Sequence, residues 1–151
     1  MKNEFVPYEQ ALALKELESD EPYLGECFGE YRQWDGSKPY LQLYQDLDGC
    51  STDPADYEYT TECSAPTYSQ AFRWFRKKYK LNSETPYLPN VEKYGIIVSD
   101  MTIKPKDLSK NENFKRGVEI TNNFAQYDTH EEAELACLKK LIELSTETNK
   151  P

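Results

Sequence analysis

Apolar residues recur at helical spacing in three segments of the chain. Within each segment they return every three or four residues, which places them on one face of a helix. The three segments are residues 7–18, 67–80 and 129–144. Pro7 suits the first helical position of the first segment, because its missing N–H would have no partner there. The pattern therefore predicts three helices.

The second and third helices begin with the same capping signal. Gln70 follows Thr67 by three residues, and Glu132 follows Thr129 by three. In such a capping box the threonine hydroxyl accepts a hydrogen bond from a helical N–H, and the longer side chain reaches back to the threonine N–H. Asp128 is an alternative cap for the third helix. The signal predicts helix starts near residues 67 and 129.

Apolar and polar residues alternate over residues 23–34, and a second strand pattern follows over residues 40–44. A period of two residues is typical of a strand. Residues 35–39 between them, Asp-Gly-Ser-Lys-Pro, have the chemistry of a turn. Together the three segments predict a β-hairpin.

The second half of the chain predicts a further pair of strands. The β-branched run at residues 94–99 is typical of a central strand. Another strand is predicted at 117–121, resuming at 124–127, while 82–93 and 104–116 are interpreted as connections. The predicted order is α-β-β-α-β-β-α. It indicates an α+β fold, an antiparallel sheet with helices packed on one face.

The chain of 151 residues suits a single domain. Residues 45–64 are rich in Asp and Glu and are interpreted as an exposed acidic loop, with a short strand near 57–61. The polar tail from 145 to 151 is expected to fray. A mean hydropathy of −0.86 is polar, but aromatic residues make up 13% of the chain. This aromatic content favours a folded protein over a disordered one.

The net charge of −9 is unevenly distributed. Residues 1–66 carry −11, residues 67–81 carry +5, and residues 82–151 carry −3. Nucleic-acid phosphate and anionic lipid repel such a chain at long range. No run of 18 apolar residues and no secretory leader is present, so we expect a cytoplasmic protein without a membrane partner.

One helix concentrates positive charge. Arg73, Arg76, Lys77 and Lys80 lie with Trp74 in the segment 67–80, where they could contact phosphate and stack a base. The alternative is a solvated face that pairs with the surplus carboxylates of residues 1–66. The overall charge favours that alternative.

The twelve tyrosines exceed what a core of this size needs. Tyr40, Tyr44, Tyr57 and Tyr59 lie near or within the acidic loop, and binding surfaces are enriched in tyrosine. These four residues form a candidate partner surface. The alternative is ordinary tyrosine in strands, which β-propensity favours.

No catalytic, cofactor or metal motif is present. Cys27, Cys50, Cys63 and Cys137 form no CxxC pair, and we expect reduced thiols, with a possible exception for Cys50 and Cys63 on either side of the acidic loop. A zinc site of these two cysteines with His130, the sole histidine, has no supporting ligand spacing.

Two other familiar sites are also unsupported. Residues 46–57 depart from the EF-hand template, and no phosphate-binding glycine motif occurs. The sequence therefore predicts no catalytic, cofactor-binding or metal-binding residue.

Three blocks of sequence carry a resemblance. They are PYEQALALKEL, CSAPTYSQAFRWFRKKY and YDTHEEAELACLKKLIEL, which together make up about a third of the chain. They resemble a family of small uncharacterised proteins carried by bacteriophages, prophages and other mobile elements of gut anaerobes. The resemblance implies an intracellular accessory protein and a variable insertion around 46–62. It implies no activity and no site residue.

The function predicted from the sequence is therefore non-enzymatic. We expect contact with a host or phage protein through an acidic, tyrosine-rich surface, one version being mimicry of nucleic acid. The alternative is nucleic-acid binding through the helix at 67–80, and an enzyme with an unrecognised site ranks last.

Overall fold

Groups of strands lie between the helices in the computed structural model, which describes residues 4–17, 29–34, 37–43, 59–102 and 126–148. The helices in these ranges are α1 (Tyr8–Glu16), α2 (Tyr68–Lys78) and α3 (His130–Thr148). The strands are β1 (Gly29–Trp34), β2 (Tyr40–Leu43), β3 (Tyr59–Ser64), β4 (Leu81–Glu84), β5 (Tyr87–Leu88), β6 (Lys93–Tyr94) and β7 (Ile97–Asp100). The named strands pair in antiparallel fashion, which confirms the α+β class.

The chain divides into two compact units, Met1–Ala71 and Phe72–Pro151. The boundary between them falls inside α2. The prediction of one domain over residues 1–151 stays a prediction. None of the described helices combines the length and the apolar character needed to cross a membrane.

The first unit contains a three-stranded sheet in the order β2-β1-β3. Gly29 lies opposite Leu43 and Arg32 opposite Tyr40, so the predicted hairpin is confirmed. The third strand confirms the predicted short strand near 57–61 over its described residues, 59–61, and it corrects the prediction that residues 62–64 are loop. Residues 59–64 are all strand, because their main chain finds partners on β1.

α1 contacts β3 of this sheet. Lys15 of α1 donates a hydrogen bond from Nζ to the main-chain oxygen of Glu62 on β3, at 2.9 Å. Ala11 and Leu14, on the predicted apolar face of α1, are buried. The spacing of apolar residues therefore correctly predicted the buried face of α1.

The predicted capping box of α2 is present. The Thr67 N–H donates to Oε1 of Gln70 at 2.9 Å, and the Gln70 N–H donates to Oγ1 of Thr67 at 3.3 Å. The helix ends at Lys78, and Lys80 has a positive φ of 57°. Lys80 therefore follows the helix, which corrects the prediction of a helix that includes residue 80.

The second unit contains two small sheets. β4 pairs with β7, and β5 pairs with β6. The prediction that 82–93 is a connection is wrong, because β4 and β5 both fall in this range. The predicted strand at 94–99 is also divided, since Gly95 and Ile96 separate β6 from β7.

The second predicted capping box starts α3, which packs against β4 and β7. The Glu132 N–H donates to Oγ1 of Thr129 at 3.2 Å, and the Thr129 N–H donates to Oε2 of Glu132 at 3.4 Å. The Asp128 N–H also donates to this carboxylate, at 3.1 Å. The expected fraying from residue 145 is wrong for Ser145, which is buried, and the helix continues to Thr148.

Several predictions lie outside the described residues. They concern the strand residues 23–28, most of the acidic loop (45–58), the loop at 104–116 and the strands at 117–121 and 124–125. Of the last predicted strand, Tyr127 is described, and it forms an isolated antiparallel bridge with Tyr94.

Candidate functional site

The predicted nucleic-acid site is only partly on the surface. Arg73 and Lys77 are exposed on α2, Arg76 is half-buried, and Lys80 is exposed beyond the helix end. Trp74 is 0% exposed, so the prediction that its ring is open to a base is wrong. Its ring packs edge-on against Phe75, with 4.9 Å between centroids.

We call the four remaining cations, Arg73, Arg76, Lys77 and Lys80, the basic surface. None of them forms an ion pair with another residue in the described ranges. Lys78 lies beside them and is used differently. Its Nζ is 5.3 Å from the centroid of the Trp74 ring and 5.7 Å from that of Tyr79. Lys78 therefore lies over the buried Trp74 ring and the half-buried Tyr79 ring, which follows the helix.

Of the four predicted surface tyrosines, the structure describes the side chain of Tyr40 alone. Tyr40 begins β2 and is 40% exposed. Tyr59 begins β3, and its side chain is not described. Tyr44 and Tyr57 lie outside the described residues. A partner surface formed by these four stays a prediction.

A different aromatic group is exposed in the second unit. Tyr87 on β5 lies opposite Tyr94 on β6, and their ring centroids are 5.2 Å apart. The Tyr94 ring also meets the His130 ring edge-on, at 5.5 Å. Tyr87 is 51% exposed and the His130 side chain 46%. We call these three residues the aromatic surface.

The main chain holds the aromatic surface in place. Tyr94 and Tyr127 exchange two hydrogen bonds, each 2.9 Å long, which bring the segment before α3 against β6. Within the β5–β6 hairpin, the Val91 N–H donates to the Leu88 carbonyl at 3.2 Å and closes the turn. Main-chain pairing therefore fixes the relative positions of the segments that carry the three rings.

Two side chains orient the His130 ring. Its Nε2 is 2.9 Å from the Thr85 hydroxyl, and its Nδ1 is 3.6 Å from Oε2 of Glu134, one turn along α3. Hydroxyl, imidazole and carboxylate occur in this order in nucleophile relays. Here the Nδ1–Oε2 distance exceeds that of a hydrogen bond. Thr85 and Glu134 therefore orient the His130 ring. The geometry does not support activation of the Thr85 hydroxyl as a nucleophile.

Carboxylates surround the aromatic surface. Asp128 pairs with Lys93, with 2.8 Å between Nζ and Oδ1, and Glu131 is exposed in the first turn of α3. Burial raises the pKa of Glu134, His130 lowers it, and Glu131 adds to the rise. The charge around the aromatic surface is therefore mainly negative. The nearby cation Lys93 is already paired with Asp128.

The two cysteines in the described part of the chain, Cys63 and Cys137, show no sign of a reactive site. Cys137 is a free, buried thiol. Burial raises its pKa to about 12, although the Ser83 side chain acts in the opposite direction. Cys63 is also buried, and Cys27 and Cys50 lie outside the described residues. In the described part of the chain no three His, Cys, Asp or Glu side chains are placed to hold a metal ion.

Reasoning from the sequence missed the aromatic surface. Tyr87 and Tyr94 fall in or beside the segment interpreted as a connection, and His130 carried no visible context. One signal was available. Pro89-Asn90 has the chemistry of a tight turn, and a turn between Tyr87 and Tyr94 would make them cross-strand neighbours.

Comparison with known proteins gives no match. No protein-family model, no curated protein and no solved structure matches the chain. The function is therefore inferred from the basic and aromatic surfaces themselves.

Proposed function

We propose that this is a non-enzymatic accessory protein that binds another protein through the aromatic surface. The observation that carries the proposal is the position of Tyr87. Its ring packs against Tyr94 and is still 51% exposed. The proposal keeps the predicted acidic, tyrosine-rich contact but assigns it to other tyrosines.

Rigid, exposed tyrosine is well suited to binding. A tyrosine ring supplies a large contact area and has few rotatable bonds, so little side-chain entropy is lost when a partner binds. Here the rings already pack on one another, at 5.2 and 5.5 Å between centroids. The rings are therefore largely ordered before a partner binds, so binding loses less side-chain entropy.

The charge around the rings indicates the chemistry of the partner. Glu131 is exposed next to His130, and Oε2 of Glu134 lies 3.6 Å from Nδ1 of the His130 ring, whereas Asp128 and Lys93 neutralise each other. A partner that presents Arg or Lys would meet both carboxylates and aromatic faces, and a cation over a tyrosine ring is stabilised by about 0.5–2 kcal/mol. The resemblance to phage and mobile-element proteins supports a host or phage protein in the cytoplasm as that partner.

A pull-down with matched variants tests the proposal. Tagged protein is incubated with nuclease-treated bacterial host lysate, and captured proteins are identified by mass spectrometry. We expect Tyr87→Ala to lose a partner that the unaltered protein captures. Tyr40→Ala, which removes another exposed tyrosine in the other unit, should retain it.

The variants also separate the alternatives. If Tyr40→Ala loses the partner and Tyr87→Ala retains it, the contact lies at the tyrosines predicted from the sequence, and the aromatic surface is rejected. Retention by both variants rejects tyrosine-mediated contact at either place. Thermal unfolding of each variant checks that the fold is intact.

A further inference from the structure

We propose that the basic surface binds the phosphate backbone of duplex nucleic acid, without reading its sequence. This site is independent of the aromatic surface and of the function proposed for it. It consists of Arg73, Arg76 and Lys77 on α2 and Lys80 just beyond it.

The first argument is the contrast with three other cations of the chain; Lys38 and Lys139 also form no ion pair among the described residues, but each of these is an isolated unpaired charge. Arg32 pairs with Glu30, Lys93 with Asp128 and Lys140 with Glu143. The four cations of the basic surface form no ion pair among the described residues. Unpaired positive charge is thus concentrated on one short segment of a protein whose net charge is −9.

The second argument is that local helix energetics do not account for all of this charge. Cations in the last turn of a helix are stabilised by its dipole, which explains Arg76 and Lys77. Arg73 lies before that turn and is four residues from Lys77. Like charges at this spacing repel by about 0.2–0.5 kcal/mol per pair. No carboxylate in the described ranges forms an ion pair with Arg73 or Lys77 to offset this repulsion.

The third argument is geometric. Residues four apart in a helix lie on one face and are separated by about 6 Å along the axis. Each strand of a DNA duplex carries one phosphate charge per roughly 3.4 Å of its axis. Arg73 and Lys77 therefore span about two phosphates of one strand, and Arg76 and Lys80 extend the contact.

The burial of Trp74 favours duplex over single-stranded nucleic acid as the ligand. Proteins that bind single strands combine cations with aromatic rings on which bases stack. On α2 the Trp74 and Phe75 rings are both 0% exposed, so these two cannot serve as a stacking platform. Phe72 and Tyr79 are half-buried, so neither offers a fully open ring for stacking. Contact with phosphates is therefore favoured over stacking, which suits a duplex with its bases already stacked.

The overall charge limits the affinity and does not abolish it. Charges more than about 8 Å apart are largely screened at physiological salt. The acidic remainder therefore slows approach, while contacts at the basic surface still form. We expect a dissociation constant of roughly 10⁻⁴ to 10⁻⁶ M, the range of non-specific binding.

Fluorescence anisotropy with a labelled DNA duplex of random sequence tests the proposal. With three to four phosphate contacts, the logarithm of the binding constant should fall with the logarithm of the salt concentration with a slope of about −3. A fourfold rise in salt, from about 50 to 200 mM, should then weaken binding by roughly 50- to 100-fold.

A matched pair of double variants assigns the contact. Arg73→Glu with Lys77→Glu should weaken binding at least about tenfold at low salt, since two phosphate contacts are lost. Lys38→Glu with Lys139→Glu changes the net charge by the same amount at two other exposed lysines. This control should change the affinity by less than about threefold.

Three outcomes would overturn the proposal. The first is no binding of the duplex at low salt, and the second is equal loss of affinity in both double variants. The third is tighter binding of poly-glutamate than of the duplex, which would indicate an acidic protein as the ligand. Tyr87→Ala should leave DNA binding unchanged, so failure here is distinct from failure of the proposed protein contact.

Discussion

The hydroxyl of Tyr31 donates a hydrogen bond to the main-chain carbonyl of Val6, with 2.6 Å between the two oxygens. Tyr31 lies on the central strand of the first sheet, and Val6 precedes α1. The Val6 N–H in turn donates to the carbonyl of Pro66 at 2.9 Å. A single buried side chain thus ties the N-terminal segment to the sheet.

Tyr31→Phe should lower the free energy of unfolding by about 1–3 kcal/mol, because it leaves the buried Val6 carbonyl without this donor. Urea denaturation measures the loss. Tyr40→Phe removes an exposed hydroxyl from the same sheet and should cost less than about 0.5 kcal/mol. Equal losses in the two variants would show that the hydrogen bond from Tyr31 to Val6 contributes no more to the free energy of unfolding than an exposed hydroxyl does.

Gly29 is expected to tolerate no side chain. A Cβ at this position would lie 2.7 Å from the main-chain oxygen of Gln42 on β2, which cannot move without breaking the β1–β2 pairing. Gly29→Ala should therefore destabilise the protein by about 1–3 kcal/mol.

Gly95→Ala is the matched control for this substitution. Its nearest neighbour would be the Leu88 side chain at 3.3 Å, which can adjust by rotation. We expect a smaller loss of stability than for Gly29→Ala in the same thermal unfolding experiment. The reverse order would mean that the β1–β2 pairing is more adaptable than its close approach implies.

Trp74 should act as a core residue. Trp74→Ala removes a fully buried ring and should cost about 3–5 kcal/mol. Trp74→Phe should cost much less, because the aromatic packing is largely kept and the indole N–H, which has no hydrogen-bond partner among the described residues, is removed. Guanidinium denaturation compares the two, and equal costs would contradict this view of the site.

The buried Cys137 thiol should make stability fall at alkaline pH. The folded protein holds this proton until about pH 12, since burial raises the pKa, whereas the unfolded chain loses it near the ordinary pKa of 9.0. Between these values the unfolded state binds fewer protons, so the free energy of unfolding falls by up to about 1.4 kcal/mol per pH unit.

Cys137→Ala should flatten that part of the pH profile. Melting temperatures of the two proteins, measured from about pH 8 to 11, should converge as the pH rises. Tyrosine and lysine titrate in the same range in both proteins, so only the difference between the curves reports on Cys137. Parallel curves would show that the thiol does not contribute.

Helix starts could be predicted because their determinants are local. Thr67 with Gln70, and Thr129 with Glu132, make their reciprocal hydrogen bonds within three residues. No distant partner is required, so the sequence contains the whole signal. The apolar face of α1 is predictable for the same reason.

The missed features depend on distant partners. Asn82 and Ser83 have little intrinsic preference for a strand, and β4 exists because β7 pairs with it. The aromatic surface likewise needs the bridge between Tyr94 and Tyr127 to bring His130 to the β5–β6 hairpin. The burial of Trp74 was missed for the same reason. How many residues of a helix are buried depends on the elements that pack against it, and the local sequence does not contain that information.

The boundary between the two units has a consequence for inheritance. It falls between Ala71 and Phe72, so main-chain hydrogen bonds of α2 cross it. A gene cut at this point would leave a fragment of α2 on each product, each far shorter than an isolated helix needs to be stable. Recombination could not exchange one unit for another at this junction without breaking α2.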